Sequence, residues 1–171
     1  MTDLFPAVVA DAPAIDHLLD RCFGPARRNR TAYRLRDGVT ASESLSFVAR
    51  EGQTLVGSIQ LWPLELRDPA GRARSMILLG PLAVAREHRC AGIGSRLLAA
   101  ALERVDAEGG VPVVLIGDEP YYGRFGFTAA PTAAWVVPGP VDRTRLLVRG
   151  GDGLPATASL GPARERVSIA A

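Results

Sequence analysis

One stretch, from residue 76 to residue 117, constrains the fold of this chain most strongly because it predicts a strand, a helix and a second strand in succession. Residues 76–84 are an apolar run of strand length. Apolar side chains then recur at helical spacing, at Ile93, Leu97, Ala101 and Val105. A glycine pair at 109–110 ends this helix, and residues 112–117 read as a strand that is apolar on both faces. This order predicts a βαβ unit with two parallel strands.

A glycine-containing turn at the start of the predicted helix has the character of an anion site. The first N–H groups of a helix lack intrahelical partners, and the helix dipole is positive there. Gly92 and Gly94 carry no Cβ that would hold an anion away from the main chain. We therefore predict that a pyrophosphate-bearing ligand binds the main chain of this turn, at Arg89, Cys90, Ala91, Gly92, Ile93, Gly94 and Ser95.

Gly80 and Pro81 interrupt the strand at residues 76–84. Proline has no N–H to donate to a ladder, and glycine weakens a strand interior. We expect a bulge or a splay at this point. Main-chain groups of Leu82 and Val84 would then be free to bind a ligand.

Two motifs together resemble the GNAT superfamily of acyl-CoA-dependent N-acyltransferases. The family's Gln/Arg-x-x-Gly-x-Gly/Ala and Tyr-x-x-x-Gly-Phe patterns are matched by Arg89, Gly92 and Gly94, and by Tyr122, Gly126 and Phe127. The resemblance covers residues 78–127. It implies an α/β (α+β) fold with a central mixed, mostly antiparallel twisted sheet, a splayed parallel strand pair and flanking helices.

The resemblance also implies acetyl-CoA as donor cosubstrate and an amine of a small molecule or peptide as acceptor, attacked directly in a ternary complex. The cofactor would lie against Leu82, Ala83 and Val84. Tyr122 occupies the family's position for the general acid that protonates the departing thiolate. Simple packing among aromatic residues is the alternative for Tyr122. The neighbouring Tyr121 is the second candidate for the general acid, although we expect it to be a packing or gate residue.

The general base is left open among Asp118, Glu119 and water. The strand at residues 76–84 has no acidic residue, which departs from those GNAT members that place a glutamate there. Asp118 and Glu119 follow the second buried strand but replace a longer connection common in the family. We expect them to be solvated turn residues.

Composition favours one compact domain over residues 1–171, because 47% hydrophobic content allows a sizeable core. All 20 basic residues are arginine, which excludes Schiff-base and Ser-Lys chemistry. A net charge of +2 does not favour nucleic acid as a partner. No apolar run is long enough to span a bilayer, so we expect a cytoplasmic protein without a membrane partner.

Two cysteines and two histidines predict neither a disulfide framework nor a metal site. We expect His88 to be a surface loop residue. Cys90 lies at a helix start, where a thiol pKa tends to fall, and a covalent acyl-cysteine there is a minor alternative.

The remaining elements are predicted more coarsely. We expect a helix at 12–23 capped by Asp11, an arginine-rich helix at 27–36, and strands at 4–9, 45–50, 54–66, 135–137 and 146–148. The last two would be edge strands, which favour a homodimer.

Five arginines of the predicted 27–36 helix form the densest charge cluster, at Arg27, Arg28, Arg30, Arg34 and Arg36. A solvated helix face is favoured, with recognition of an acidic or carboxylate-bearing acceptor as the alternative. Trp62 and Trp135 lie on apolar strands, where core packing is commoner than a place in an acceptor groove.

Two other classes of protein are alternatives to an acetyltransferase. A Rossmann domain is disfavoured because Leu97 stands where the third glycine of Gly-x-Gly-x-x-Gly belongs. A noncatalytic acyl-CoA-binding module on the same fold remains open, since the strand glutamate is missing while Tyr122 is present.

Overall fold

Residues 1–164 are described by a computed structural model, and they form a mixed sheet of eight strands. The strands are β1 (Thr2–Pro6), β2 (Phe47–Glu51), β3 (Thr54–Arg67), β4 (Ala73–Val84), β5 (Val113–Ile116), β6 (Ala134–Val136), β7 (Leu146–Arg149) and β8 (Thr157–Pro162). Six of them follow the order β1-β2-β3-β4-β5-β7, while β8 pairs with both β3 and β6. Among the described strands, β4–β5 and β6–β8 are the parallel pairs, so the predicted fold class is confirmed.

Within residues 1–164, four α-helices accompany the sheet: α1 (Ala12–Phe23), α2 (Thr31–Leu35), α3 (Ile93–Ala107) and α4 (Glu119–Tyr122). The apolar faces of α1 and α3 pack with the central strands in one core cluster, and the predicted stripe of α3 is fully buried. A second cluster surrounds Trp135 at the other end of β3 and β4. Trp135 is buried and donates its indole N–H to the Pro155 carbonyl at 2.9 Å, which confirms its core placement.

The β4–α3–β5 unit confirms the prediction for the middle of the chain. β4 and β5 pair in parallel, but only through Ile77 with Val113 and Leu78 with Val114 in the described ladder. Beyond Leu78 the two strands diverge. The edge of β4 that faces β5 therefore has no ladder partner over its last residues, up to Val84, whose carbonyl accepts a hydrogen bond from Cys22 Sγ at 3.4 Å.

A bulge also lies where it was predicted. Leu79 pairs with Leu61 and Leu82 pairs with Ile59, so the register shifts across Gly80 and Pro81. After the bulge, Leu82 and Val84 pair again with β3. The open main chain of β4 thus results from its divergence from β5, and not from the bulge alone.

Several predictions for the ends of the chain were wrong in detail. Asp11 holds the N-cap position of α1 as predicted, but its side chain makes no capping hydrogen bond to that helix, which directly follows a 3-10 turn at Val9–Asp11. The Asp11 carboxylate accepts from the Val8 N–H at 3.0 Å and pairs with Arg50. The first strand ends at Pro6, and β8 was not predicted.

The predicted arginine-rich helix is a 3-10 turn at Pro25–Asn29 followed by the short α2. Its face is not uniformly solvated, because Arg27 is 2% exposed and Arg36 is 8% exposed. The expectation of a solvated face is therefore wrong for these two residues. Arg28, Arg30 and Arg34 are exposed as expected.

Candidate active site

A cavity of about 770 Å³, here called the central cavity, opens where β4 and β5 diverge. Residues 78–82 of β4 and 115–118 at the end of β5 form one part of its lining. Residues of the 27–36 segment and of the loop at 140–145 form the rest. Two diverging strands with open main chain thus share one cavity with the buried arginines.

Tyr122 is the last residue of α4 and lines the central cavity. A Cβ on Gly117 would stand 2.4 Å from Tyr122 Cε2, so the ring needs glycine at the end of β5. Tyr121 and Phe127 contact the ring edge-on, with centroids 4.9 and 6.1 Å away. Burial raises the pKa of the Tyr122 hydroxyl to about 12, so it holds its proton at neutral pH. Tyr122 thus packs against other aromatic rings and also lines the cavity.

Tyr121 contacts the start of α3 instead. Its hydroxyl lies 3.3 Å from Ser95 Oγ. A Cβ on Gly94 would stand 3.7 Å from the Tyr121 hydroxyl oxygen and 3.7 Å from Val84 Cγ2. The structure therefore brings the end of β4, the glycine turn and Tyr121 together, which is consistent with a packing role for Tyr121.

The glycine turn has the backbone geometry of a helix start. A 3-10 turn at Arg86–Ala91 leads to Gly92, whose φ of 69° is in the left-handed region that favours glycine. Helix α3 begins at the next residue, Ile93, which is buried. Arg89, Cys90 and Ala91 are exposed, while Gly94 and Ser95 are partly exposed. The first-turn N–H groups of α3 thus lie at an accessible surface.

The two acidic candidates for the general base have other partners. Arg145 Nε donates to Asp118 Oδ1 at 3.1 Å, and the Asp118 side chain is 73% exposed. Glu119 Oε1 accepts from the Ala129 N–H at 3.3 Å. Asp142 also lines the central cavity, and hydrogen bonds from Thr144 lower the pKa of its carboxyl. Each of these carboxylates is thus already hydrogen-bonded to another part of the protein.

Arg27 is the centre of an ion-pair network beside the cavity. Its Nη2 lies 2.5 Å from Asp16 Oδ1, its Nε lies 2.8 Å from Asp20 Oδ1, and it also donates to the Tyr33 hydroxyl. Burial alone would lower the pKa of Arg27, but these hydrogen bonds outweigh it and raise that pKa. Arg28 pairs with the same two carboxylates from the surface. Arg27 is therefore a fully neutralised structural cation.

Arg36 is held by aromatic rings. Its Cζ lies 3.7 Å from the Tyr33 ring centroid and 4.3 Å from the Trp62 ring centroid. The Trp62 indole N–H donates to the Gly80 carbonyl at 2.8 Å, which joins this stack to the bulge of β4. Burial lowers the pKa of Arg36, yet a guanidinium remains protonated at neutral pH. Sequence reasoning missed this stack, because Trp62 is far away along the chain.

The remaining candidates lie outside the central cavity. His88 Nε2 is 3.6 Å from Glu51 Oε2. The His88 side chain is 24% exposed, which is less than expected for a surface loop residue. Cys90 is exposed, and Cys22 Sγ donates to the Val84 carbonyl at 3.4 Å. Within residues 1–164, neither cysteine lines the cavity, which gives no support to an acyl-cysteine.

Residues 1–164 contain neither a candidate metal site nor a candidate membrane-spanning helix. No group of three or more His, Cys, Asp or Glu side chains in residues 1–164 is placed to hold a metal ion. Among the helices described above, none has the length and apolar character that crossing a membrane requires.

Comparison with known proteins agrees with this geometry. Residues 7–130 match the family model described as an acetyltransferase (GNAT) domain. The chain is 31% identical over 120 residues, 70% of each protein, to the uncharacterized N-acetyltransferase YhbS of Escherichia coli (strain K12). The E. coli YhbS structure in complex with CoA is similar with a TM-score of 0.73 and 25% identity, covering 92% of this chain and 88% of that one. A GNAT acetyltransferase from Brucella melitensis in complex with acetyl-CoA gives a TM-score of 0.61 and 25% identity, with coverages of 86% and 94%.

The fold and these likenesses define an N-acetyltransferase. This chain belongs to the GNAT acetyltransferase family.

Proposed function

We propose that this protein transfers the acetyl group of acetyl-CoA to an amine by direct attack within a ternary complex, with Tyr122 as general acid. The observation that carries the proposal is the position of Tyr122. It lines the same cavity as residues 80–82 of β4, and its hydroxyl holds its proton at neutral pH. The CoA complexes of similar GNAT proteins support acetyl-CoA as the donor. The pairing of β8 with β3 supports one domain over residues 1–171.

The donor would bind mainly through main-chain groups. The pyrophosphate would accept from N–H groups of the turn at Arg89, Cys90, Ala91, Gly92, Ile93, Gly94 and Ser95. The pantetheine arm would follow the open edge of Leu82, Ala83 and Val84 toward the central cavity. The short distance between the Gly94 Cβ position and Val84 Cγ2 supports a continuous binding surface from the turn to the strand.

The acetyl transfer step itself needs one proton to leave and another to arrive. The amine nitrogen attacks the thioester carbonyl carbon, the C–S bond breaks, and the sulfur takes the Tyr122 hydroxyl proton. Tyr122 then regains a proton from solvent. A thiol has a pKa of about 8.5 in water, below that of tyrosine, so the thiolate is a weaker base than the phenolate. We therefore propose that the hydroxyl proton is shared with the sulfur in an ordered hydrogen bond.

We propose that the amine loses its proton to water. Of the two carboxylates that line the cavity, Asp118 is paired with Arg145 and Asp142 is hydrogen-bonded to Thr144. Each carboxylate is thus held by a donor other than the amine. Asp118→Asn should therefore lower kcat by less than about tenfold, below the usual loss for a general base.

The test is turnover with an amine panel, following CoA release and acetylated product together. Initial-rate lines that intersect when both substrates are varied would support direct transfer. Parallel lines and a trapped acetyl-enzyme would contradict it. Tight acetyl-CoA binding without any product would favour the noncatalytic module instead.

A further inference from the structure

The two buried arginines of the 27–36 segment differ in how their charges are balanced. Arg27 has two carboxylate partners, at 2.5 and 2.8 Å. Arg36 forms no ion pair with any carboxylate in residues 1–164. The carboxylate that acts on it from a distance is Asp16, which is already paired with Arg27 and Arg28. Arg36 is therefore a desolvated cation without a counter-ion of its own.

Such an arrangement is costly for folding unless the charge has a use. A buried charge without a partner loses its hydration, and stacking on aromatic rings returns only part of that loss. The guanidinium of Arg36 stacks on the rings of both Tyr33 and Trp62. Stacked rings leave the edge of a guanidinium as the place where its N–H groups can donate. Arg36 lines the central cavity and also a second cavity, of about 570 Å³, that Asp16 and Asp37 line as well. The central cavity is the one that contains Tyr122, so an acceptor bound there can supply the missing anion.

The other charges of the cavity do not neutralise Arg36. Arg145 and Asp118 neutralise each other, while Asp142 keeps its negative charge and accepts hydrogen bonds from Thr144. Arg30, exposed at the rim and stacked 5.6 Å from the Phe23 ring centroid, adds a second positive charge. The cavity therefore favours an anionic group on whatever molecule enters it.

The geometry points to Arg36 as the residue that binds a carboxylate on the acceptor, so that the acceptor is an amino acid or a peptide with a free carboxylate. A planar guanidinium edge matches a carboxylate with two parallel hydrogen bonds. One buried cation also balances the single charge of a carboxylate better than the double charge of a phosphate. This inference rests on the proposed function, since it assigns the acceptor of the same cavity.

The first experiment compares acceptors in pairs. Each of a panel of L-amino acids, β-alanine and 4-aminobutyrate is tested beside its carboxamide, which keeps the amine and removes the charge. We expect the wild type to prefer the free acid, and Arg36→Gln to lower kcat/KM for the acid by roughly 10- to 100-fold, the usual range for a charge-assisted hydrogen bond. The KM for acetyl-CoA should not change, and the rate with the carboxamide should fall far less than the rate with the acid.

Two variants serve as controls. Arg34→Gln removes a guanidinium from the same 27–36 segment, but Arg34 is exposed and is not among the residues that line the cavity. It should keep the wild-type preference. Arg36→Lys keeps the charge without the planar edge, and should recover only part of the preference. Thermal unfolding checks that every variant is folded.

A second experiment does not depend on turnover. The 15N–1H signal of Arg36 Nε is assigned by its absence in Arg36→Gln, and propionate or propionamide is then titrated into the CoA complex and the free protein. A saturable shift with propionate alone supports the inference. Equal shifts with both, no shift with either, or an acid preference unchanged in Arg36→Gln would overturn it. Failure to bind acetyl-CoA would instead overturn the proposed function, and the titration of the free protein would still decide the role of Arg36.

Discussion

The proposed donor side and the proposed acceptor side of the central cavity are formed in different ways. The donor side consists of main chain: the open edge of β4 up to Val84 and the turn before α3. The acceptor side consists of side chains from distant parts of the sequence, with Arg36 stacked on Tyr33 and Trp62. Main-chain recognition suits a donor that never changes. Side-chain recognition allows the acceptor to differ between proteins of one fold.

This comparison predicts that removal of Tyr122, which lies between the two sides, has the largest effect. Tyr122→Phe should lower kcat by roughly 10² to 10⁴-fold, the range for one general acid, with little change in affinity for acetyl-CoA. Tyr121→Phe is the matched control, because Tyr121 contacts Ser95 at the start of α3. A Tyr122→Phe enzyme with full kcat, when chemistry is rate-limiting, would reduce Tyr122 to a packing residue.

The donor side can be tested at Gly94. Gly94→Val should weaken acetyl-CoA binding by roughly 10- to 100-fold, because a branched side chain would keep the pyrophosphate from the first N–H groups of α3. Calorimetry measures the affinity. Gly94→Ala is the milder variant, since its Cβ would make only ordinary contacts at 3.7 Å. Gly92 is less suitable, because its positive φ strains any other residue. A folded Gly94→Val protein with wild-type affinity would contradict the assignment.

The two buried arginines should differ in their contribution to stability. Arg27→Met should lower the free energy of unfolding by about 2 kcal/mol, less than for a fully buried pair because Asp16 and Asp20 are half-exposed. Arg36→Met should change it by less than about 1 kcal/mol, because the lost ring contacts are offset by removal of a desolvated charge. Urea unfolding measures both variants. Equal losses would mean that Arg36 is structural.

The smallest effect is expected from alkaline pH. A general acid must be protonated, so activity falls as pH rises through its pKa. Because burial raises the pKa of Tyr122 to about 12, kcat should not fall up to about pH 10. Single-turnover measurements avoid thioester hydrolysis. A fall with an apparent pKa well below 10 that disappears in Tyr122→Phe would show that the hydroxyl titrates differently.

The donor side was more predictable from the sequence than the acceptor side. The βαβ unit, the bulge at Gly80 and Pro81, and the helix start at Gly92 follow from local patterns, because backbone geometry is determined by neighbouring residues. The burial of Arg27 and Arg36 does not, because it depends on Asp16, Asp20 and Trp62, which fold in from elsewhere. The i, i+3 spacing of Tyr33 and Arg36 was the one local signal for the stack.

A crystal structure of the acetyl-CoA complex tests the central claim most directly. The account predicts pyrophosphate oxygens within hydrogen-bond distance of N–H groups in the 89–95 turn, and the pantetheine arm along the open edge of β4. The thioester sulfur should lie within hydrogen-bond reach of the Tyr122 hydroxyl. Acetyl-CoA bound away from the 89–95 turn, or a thioester that Tyr122 cannot reach, would contradict the account.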